Sequence, residues 1–237
     1  MRKTRQLGIK VELQSGATGI ERKNGNFVVY ASTPQGKREF EAELVVHGAG
    51  RVADLDDLNL PAANVHADKR GVKVNEFLQS VSDPTVYAAG DAADTGMPQL
   101  TPVAGYSGGI VAANLLKGNH RKVENMPVPT VAFTVPPLAS VGMNEGSAKK
   151  QGLRFRVHQE DTASWYSSRR VAEDCSGFKV LIDEDTNHIL GANLLGPEAD
   201  ELINVFALAM RADVSATTLR HTIFAYPTHA SDVSYML

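Results

Sequence analysis

Residues 86–104 constrain this chain more than any other segment: Val-Tyr-Ala-Ala-Gly-Asp-Ala-Ala-Asp-Thr-Gly-Met-Pro-Gln-Leu-Thr-Pro-Val-Ala. A short apolar run ends in Gly90-Asp91, and Leu100-Thr101-Pro102 opens a helix rich in small residues. A strand that delivers a carboxylate beside a helix N-terminus suits a hydroxylated, anionic or electron-poor ligand. The carboxylate accepts hydrogen bonds from hydroxyls, and the free N–H groups of the first helical turn face negative charge. Gly90 lets backbone come close to such a ligand, and Pro102 fits the first helical position. The spacing points to a nucleotide or flavin contact. The plainer alternative is an ordinary strand–turn–helix corner with Asp91 as a cap.

These residues resemble the second half of the FAD site in the flavoprotein (pyridine nucleotide) disulfide reductases, the family of glutathione reductase, dihydrolipoamide dehydrogenase and mercuric reductase. The resemblance implies that Asp91 holds the ribityl chain, with Gly90 at the turn. It also implies that the backbone of Leu100 and Thr101, with the helix from Pro102, faces the pyrimidine edge of the isoalloxazine.

A formal charge of −3 provides no basic surface for nucleic acid. Residues 1–7 are basic but lack an apolar core, so they read as neither signal peptide nor membrane anchor, and a cytoplasmic protein is expected. Cys175 is the only cysteine, flanked by acids on its N-terminal side. It can form neither an intrachain disulfide nor a Cys-only metal site, and no cationic residue adjoins it in sequence. The CxxxxC redox pair of the resembled family is absent from these residues.

Three blocks follow from the turn signals. Block 1–47 is similar to the tail of an NAD(P)-binding domain. Strand-like runs at 9–13, 27–30 and 43–46 are separated, in the later part, by Lys23-Asn24-Gly25-Asn26 and Thr33-Pro34-Gln35-Gly36, and predict a small antiparallel meander. Block 48–122 is similar to the second FAD segment, with strands at 72–74 and 85–89 and a slim helix from Pro102 to about Leu116. Block 126–237 predicts a separate α+β unit, similar to the family's dimerisation domain. Its elements are a strand at 130–135, a short helix capped by Asn144, a strand at 155–158, a hairpin over 177–195 and a helix over 197–212. Leu202, Val205, Phe206 and Ala209 form that helix's core-facing stripe.

Gly48-Ala49-Gly50-Arg51-Val52-Ala53 matches GxGxxA only in form. A pyrophosphate cradle needs a helix next, whereas three acids and Pro61 follow.

The C-terminus, from His221 to Leu237, contains Ala-Tyr-Pro-Thr-His-Ala-Ser-Asp. Disulfide reductases end similarly, in His-Pro-Thr with an acid three residues after the threonine; that histidine is the acid–base catalyst delivered to the partner subunit. Here Tyr226 stands at the histidine position and Ser231 at the acid position, with Asp232 one residue further on. A tyrosine of ordinary pKa, about 10, donates hydrogen bonds but is no ready base at neutral pH. Tyr226 and Asp232 are the catalytic candidates, with Asp232 alternatively a capping or surface acid. His229 reads as a helix-start residue, His221 as a loop or cap residue, and the other histidines show no metal-ligand spacing.

The expected fold is therefore α/β and α+β, a partial Rossmann-like FAD/NAD(P)-binding segment followed by a dimerisation domain. The resemblance implies FAD and NAD(P)H as cofactors, a homodimer through 126–237, and a small-molecule or disulfide acceptor. The chain reads as the C-terminal half of such an oxidoreductase, inactive alone because hydride transfer needs both cofactors in one site. A non-catalytic dimerisation or interaction module is the alternative.

Overall fold

The computed structural model describes residues 2–237. After a short helix α1 (Arg2–Gln6) come three antiparallel strands, β1 (Gly16–Lys23), β2 (Asn26–Thr33) and β3 (Gly36–Ala42), in the order β1-β2-β3. Both expected turns are present, but two of the three expected strands lie elsewhere. Residues 9–13 are irregular; Ile9 and Leu13 are exposed and have no strand to pair with. The first strand is Gly16–Lys23, whose glycines, threonine and charges hide any apolar alternation. The third ends at Ala42, opposite Phe27. One residue further on, Glu43 lies level with Asn26 at the β1–β2 turn, so the 43–46 run has nothing to hydrogen-bond and Leu44 and Val46 stand in solvent.

A small sheet follows, with β4 (Ala67–Asp68) antiparallel to β5 (Gly71–Lys73) and β5 parallel to β6 (Ala93–Asp94). The expected strand at 85–89 is extended chain with a single bridge, Gln79 to Tyr87, because its only neighbour is the adjacent 78–80 segment. Helix α2 (Thr101–Lys117) begins one residue before the expected Pro102 and closes the block. Buried Asn114 anchors it: its amide donates to the carbonyls of Phe77 (3.0 Å) and Arg121 (2.8 Å), and its oxygen accepts from the N–H groups of His120 and Arg121.

The remaining residues form a five-stranded antiparallel sheet backed by helices. Its strands are β7 (Thr130–Ala132), β8 (Leu138–Gly142), β9 (Phe155–Asp161), β10 (Gly177–Asp183) and β11 (Ile189–Leu195), in the order β7-β8-β11-β10-β9. Four helices intervene or follow: α3 (Glu145–Lys150), α4 (Tyr166–Arg170), α5 (Ala199–Arg211) and α6 (Ala216–Arg220). Asn144 caps α3 as expected, its side chain accepting from the Ser147 N–H at 2.8 Å. On α5, Leu202, Phe206 and Ala209 are buried against the sheet and Val205 packs at the edge of that core. A final 3-10 turn, His229–Tyr235, brings Val233, Met236 and Leu237 into the same core.

Phe206 is fully buried in that core. Phe206→Ala is expected to cost about 3–5 kcal/mol, read as a lowered urea midpoint of the α+β unit.

The β10–β11 turn is stapled by Asp183, whose carboxylate accepts from the N–H groups of Thr186 (2.7 Å) and Asp185 (2.9 Å) and from the Thr186 hydroxyl. These donors, the Thr186 N–H foremost, hold its pKa below the usual aspartate value. A depressed folded pKa contributes stability above the unfolded value and loses it as pH falls through the folded one. Asp183→Asn is therefore expected to flatten the acid limb of the stability curve below about pH 4, measured by urea titration across pH.

Candidate functional site

The extended 86–89 segment enters a single 3-10 turn at Gly90–Ala92, and the start of α2 packs against that turn. Gly90 has φ +62°, and a Cβ there would lie 3.0 Å from the Cβ of Ala104. Both facts favour glycine. The Gly90 N–H donates to buried Ser107 Oγ at 2.8 Å, while Ser107 donates in turn to the Val103 carbonyl. The small residues of α2 thus serve two ends. Ala104 and Ser107 let the helix sit on the Gly90 turn, whereas Gly105, Gly108 and Gly109 have open space where a side chain would point.

Asp91 is half-buried, and its backbone carbonyl is reached by the Gln99 amide at 3.5 Å. Its carboxylate takes no hydrogen bond among the described residues. Leu100 is the N-cap of α2 with no side-chain cap, and Pro102 stands in the first turn. The N–H groups of Thr101 and Val103 lie within the turn that has no intrahelical acceptors. Gly90, Asp91, Leu100, Thr101 and Pro102 are thereby brought to one corner. A cleft of about 380 Å³ opens beside it, lined by Gly90, Gln99 and Val103 together with Arg51, Lys69 and Arg70. Buttressing its floor, Lys73 bridges Asp68 (2.6 Å) and Asp94 (2.5 Å), and Arg70 reaches Asp94 at 3.2 Å. Those hydrogen bonds, Asp68 first, raise the Lys73 pKa, and Lys73 lowers that of Asp68. Of the five candidates only Gly90 lines this cleft, whose charged residues are Arg51, Lys69, Arg70 and Asp94; Asp91, Leu100, Thr101 and Pro102 stand at the adjoining corner, outside its lining.

Arg51 is the only contribution of the 48–53 glycine run to this cleft. That run is irregular and leads to a 3-10 turn at Asp56–Leu58, so no helix N-terminus stands behind it.

The C-terminal candidates lie on the other block and part company. Tyr226 is 77% exposed and stacks on Tyr166 of α4, with ring centroids 6.3 Å apart and planes at 29°. Asp232 turns inward and accepts a short hydrogen bond from Ser167, the next residue of α4. Ser231, at the expected acid position, donates instead to the Thr228 carbonyl at 2.6 Å. Among the described residues no carboxylate is hydrogen-bonded to Tyr226. His229 opens the 3-10 turn, half-buried, beside the cavity that Asp232 also lines. Tyr166 and Ser167, which hold the two candidates, carry no sequence signal: Trp-Tyr-Ser-Ser reads as a polar loop. Among the described residues no three His, Cys, Asp or Glu side chains are placed to hold a metal, and no helix is long and apolar enough to cross a membrane.

Two family profiles match nearly the whole chain in tandem. The profile of pyridine nucleotide-disulphide oxidoreductases matches residues 1–108, and that of their dimerisation domain matches residues 128–236. The chain belongs to this family. A Staphylococcus aureus protein described as an uncharacterized 19.7 kDa protein in a mercuric resistance operon is 53% identical over 180 residues, 76% of this chain and 100% of that one. Dihydrolipoyl dehydrogenase of Haloferax volcanii is 31% identical over 98% of this chain but 49% of its own length. Mercuric reductase of Lysinibacillus sphaericus is 30% identical over 93% of this chain and 40% of its own. The chain thus spans less than half of these two relatives. The fold matches that of the HOCl-induced flavoprotein disulfide reductase RclA from Escherichia coli, with TM-score 0.85, 23% identity, and coverage of 99% of this chain and 53% of that one.

Ser167→Ala removes the hydroxyl that Asp232 binds. It is expected to cost about 1–3 kcal/mol in urea denaturation, the range for leaving a partly buried acceptor unmet.

Proposed function

We propose that the chain supplies the second half of a flavin site and the subunit interface of an FAD-dependent NAD(P)H oxidoreductase. The observation that carries this reading is the Gly90–Asp91 turn seated on the uncapped start of α2. In it, Asp91 accepts hydrogen bonds from the ribityl hydroxyls, and the N–H groups of Thr101 and Val103 face the electron-rich edge of the flavin. Bound FAD would supply the redox chemistry, taking a hydride equivalent from NAD(P)H and passing electrons to an acceptor. The protein's part is to orient the ring and exclude competing reactions. Residues 126–237 form the homodimer contact, and exposed Tyr226 offers a hydroxyl to the acceptor of the partner subunit. Asp232 acts on this segment as a strut, through Ser167. With Cys175 as its only thiol, the chain alone does not turn over; the protein works in the cytoplasm.

A second reading, a non-catalytic dimerisation module, is favoured by Tyr226 in place of an imidazole. Reconstitution separates the two. The chain is produced together with a polypeptide carrying a GxGxxG fingerprint and a CxxxxC pair, taken from a mercuric reductase. The first reading expects the purified complex to retain FAD by absorbance, and Asp91→Ala to lose most of it with dimerisation intact. A complex that assembles without flavin, or retains it equally in Asp91→Ala, supports the module. NAD(P)H oxidation by the chain alone above the buffer background would overturn the claim of inactivity.

A further inference from the structure

Four of the six methionines of this chain, Met97, Met126, Met143 and Met210, line one cleft of about 410 Å³ between the α2 block and the five-stranded sheet. They come from four separate segments: the loop after β6, the connection between the blocks, the end of β8 and the last turn of α5. All four are half-buried rather than sealed in a core. Methionine as a mere gap-filler is expected in the closed interior, where its flexible thioether takes up irregular space. Here the four methionines instead line open volume, and no Asp, Glu, Lys, Arg or His lines it. Gly142, at φ +76°, has the Leu190 carbonyl oxygen 2.4 Å and the Met210 methyl 2.6 Å from where its own Cβ would be.

Neutral sulfur donors without a carboxylate reject hard cations such as Mg(II) and Ca(II), which demand oxygen, and bind soft closed-shell ions. We propose that this cleft is a thioether site for a soft monovalent cation of the Ag(I) and Cu(I) class, with the Asn125 amide at its rim. The site contains neither Asp91 nor Tyr226, though it shares Gly96, Met97 and Pro98 with the cleft beside the Gly90 turn, and it does not depend on the flavin reading. Thioethers carry no titratable proton, so binding here is independent of pH over the range in which imidazole sites fail, below about pH 6.5.

The test uses Ag(I), which needs no reductant, on the full chain carrying Cys175→Ser to remove the one thiol. The expected result is one bound equivalent, unchanged between about pH 5 and pH 7.5, and lost in Met126→Leu/Met143→Leu, a volume-conserving change that leaves the circular dichroism intact. Spectra of protein labelled with methyl-13C methionine give a reading that needs no methionine variant. The four cleft methyls are expected to shift on Ag(I) addition while Met236 stays. The proposal is overturned if Cys175→Ser binds no Ag(I), if binding collapses at low pH, if the double variant keeps its equivalent, or if the cleft methyls do not move.

Discussion

Much of the candidate site rests on one close contact, that of the Gly90 turn with Ala104 and Ser107 of α2. A helix can approach a turn this closely only where both sides lack bulk, and the Ser107 hydroxyl meets the Gly90 N–H that the approach buries. The consequence is geometric. Asp91, one residue beyond Gly90, is thereby held close to the first turn of α2. The low helix propensity of glycines and serines is the cost of that placement. Asn114 offsets part of it by stitching the far end of the helix to two loops.

The Gly90 corner was more legible in the sequence than the N-terminal three-stranded sheet. Gly90-Asp91 and Leu100-Thr101-Pro102 announce themselves because each residue type meets a local need: positive φ, a charge, a helix start. The α5 stripe and the Asn144 cap were readable for the same reason. The strands at 16–23 and 36–42 were not, because their pairing is set by the two tight turns and not by apolar alternation; β1 contains only Ile20 as a large apolar residue, and that residue is exposed. The apolar runs at 9–13 and 43–46 misled in the opposite direction. Hydrophobic residues indicate a strand only when a partner strand is in register.

What sequence could not supply at all was the pairing between distant segments. Nothing in Trp165-Tyr166-Ser167 indicates that two consecutive side chains reach the C-terminal turn, more than fifty residues away, one to stack on Tyr226 and the next to hold Asp232. The convergence of four methionines is of the same kind. Their spacing along the chain follows no period, and only the packing of α5 and β8 beside the loop after β6 makes them neighbours.

The engagement of Asp232 with Ser167 bears on how this chain's chemistry could change over evolution. On the proposed alignment of Tyr226 with the family's acid–base histidine, an imidazole at this position would have no carboxylate to orient it. Ser231 is turned to the Thr228 carbonyl, and Asp232 is committed to α4. A return to thiol–disulfide acid–base chemistry would thus need coordinated changes at 226 and 231.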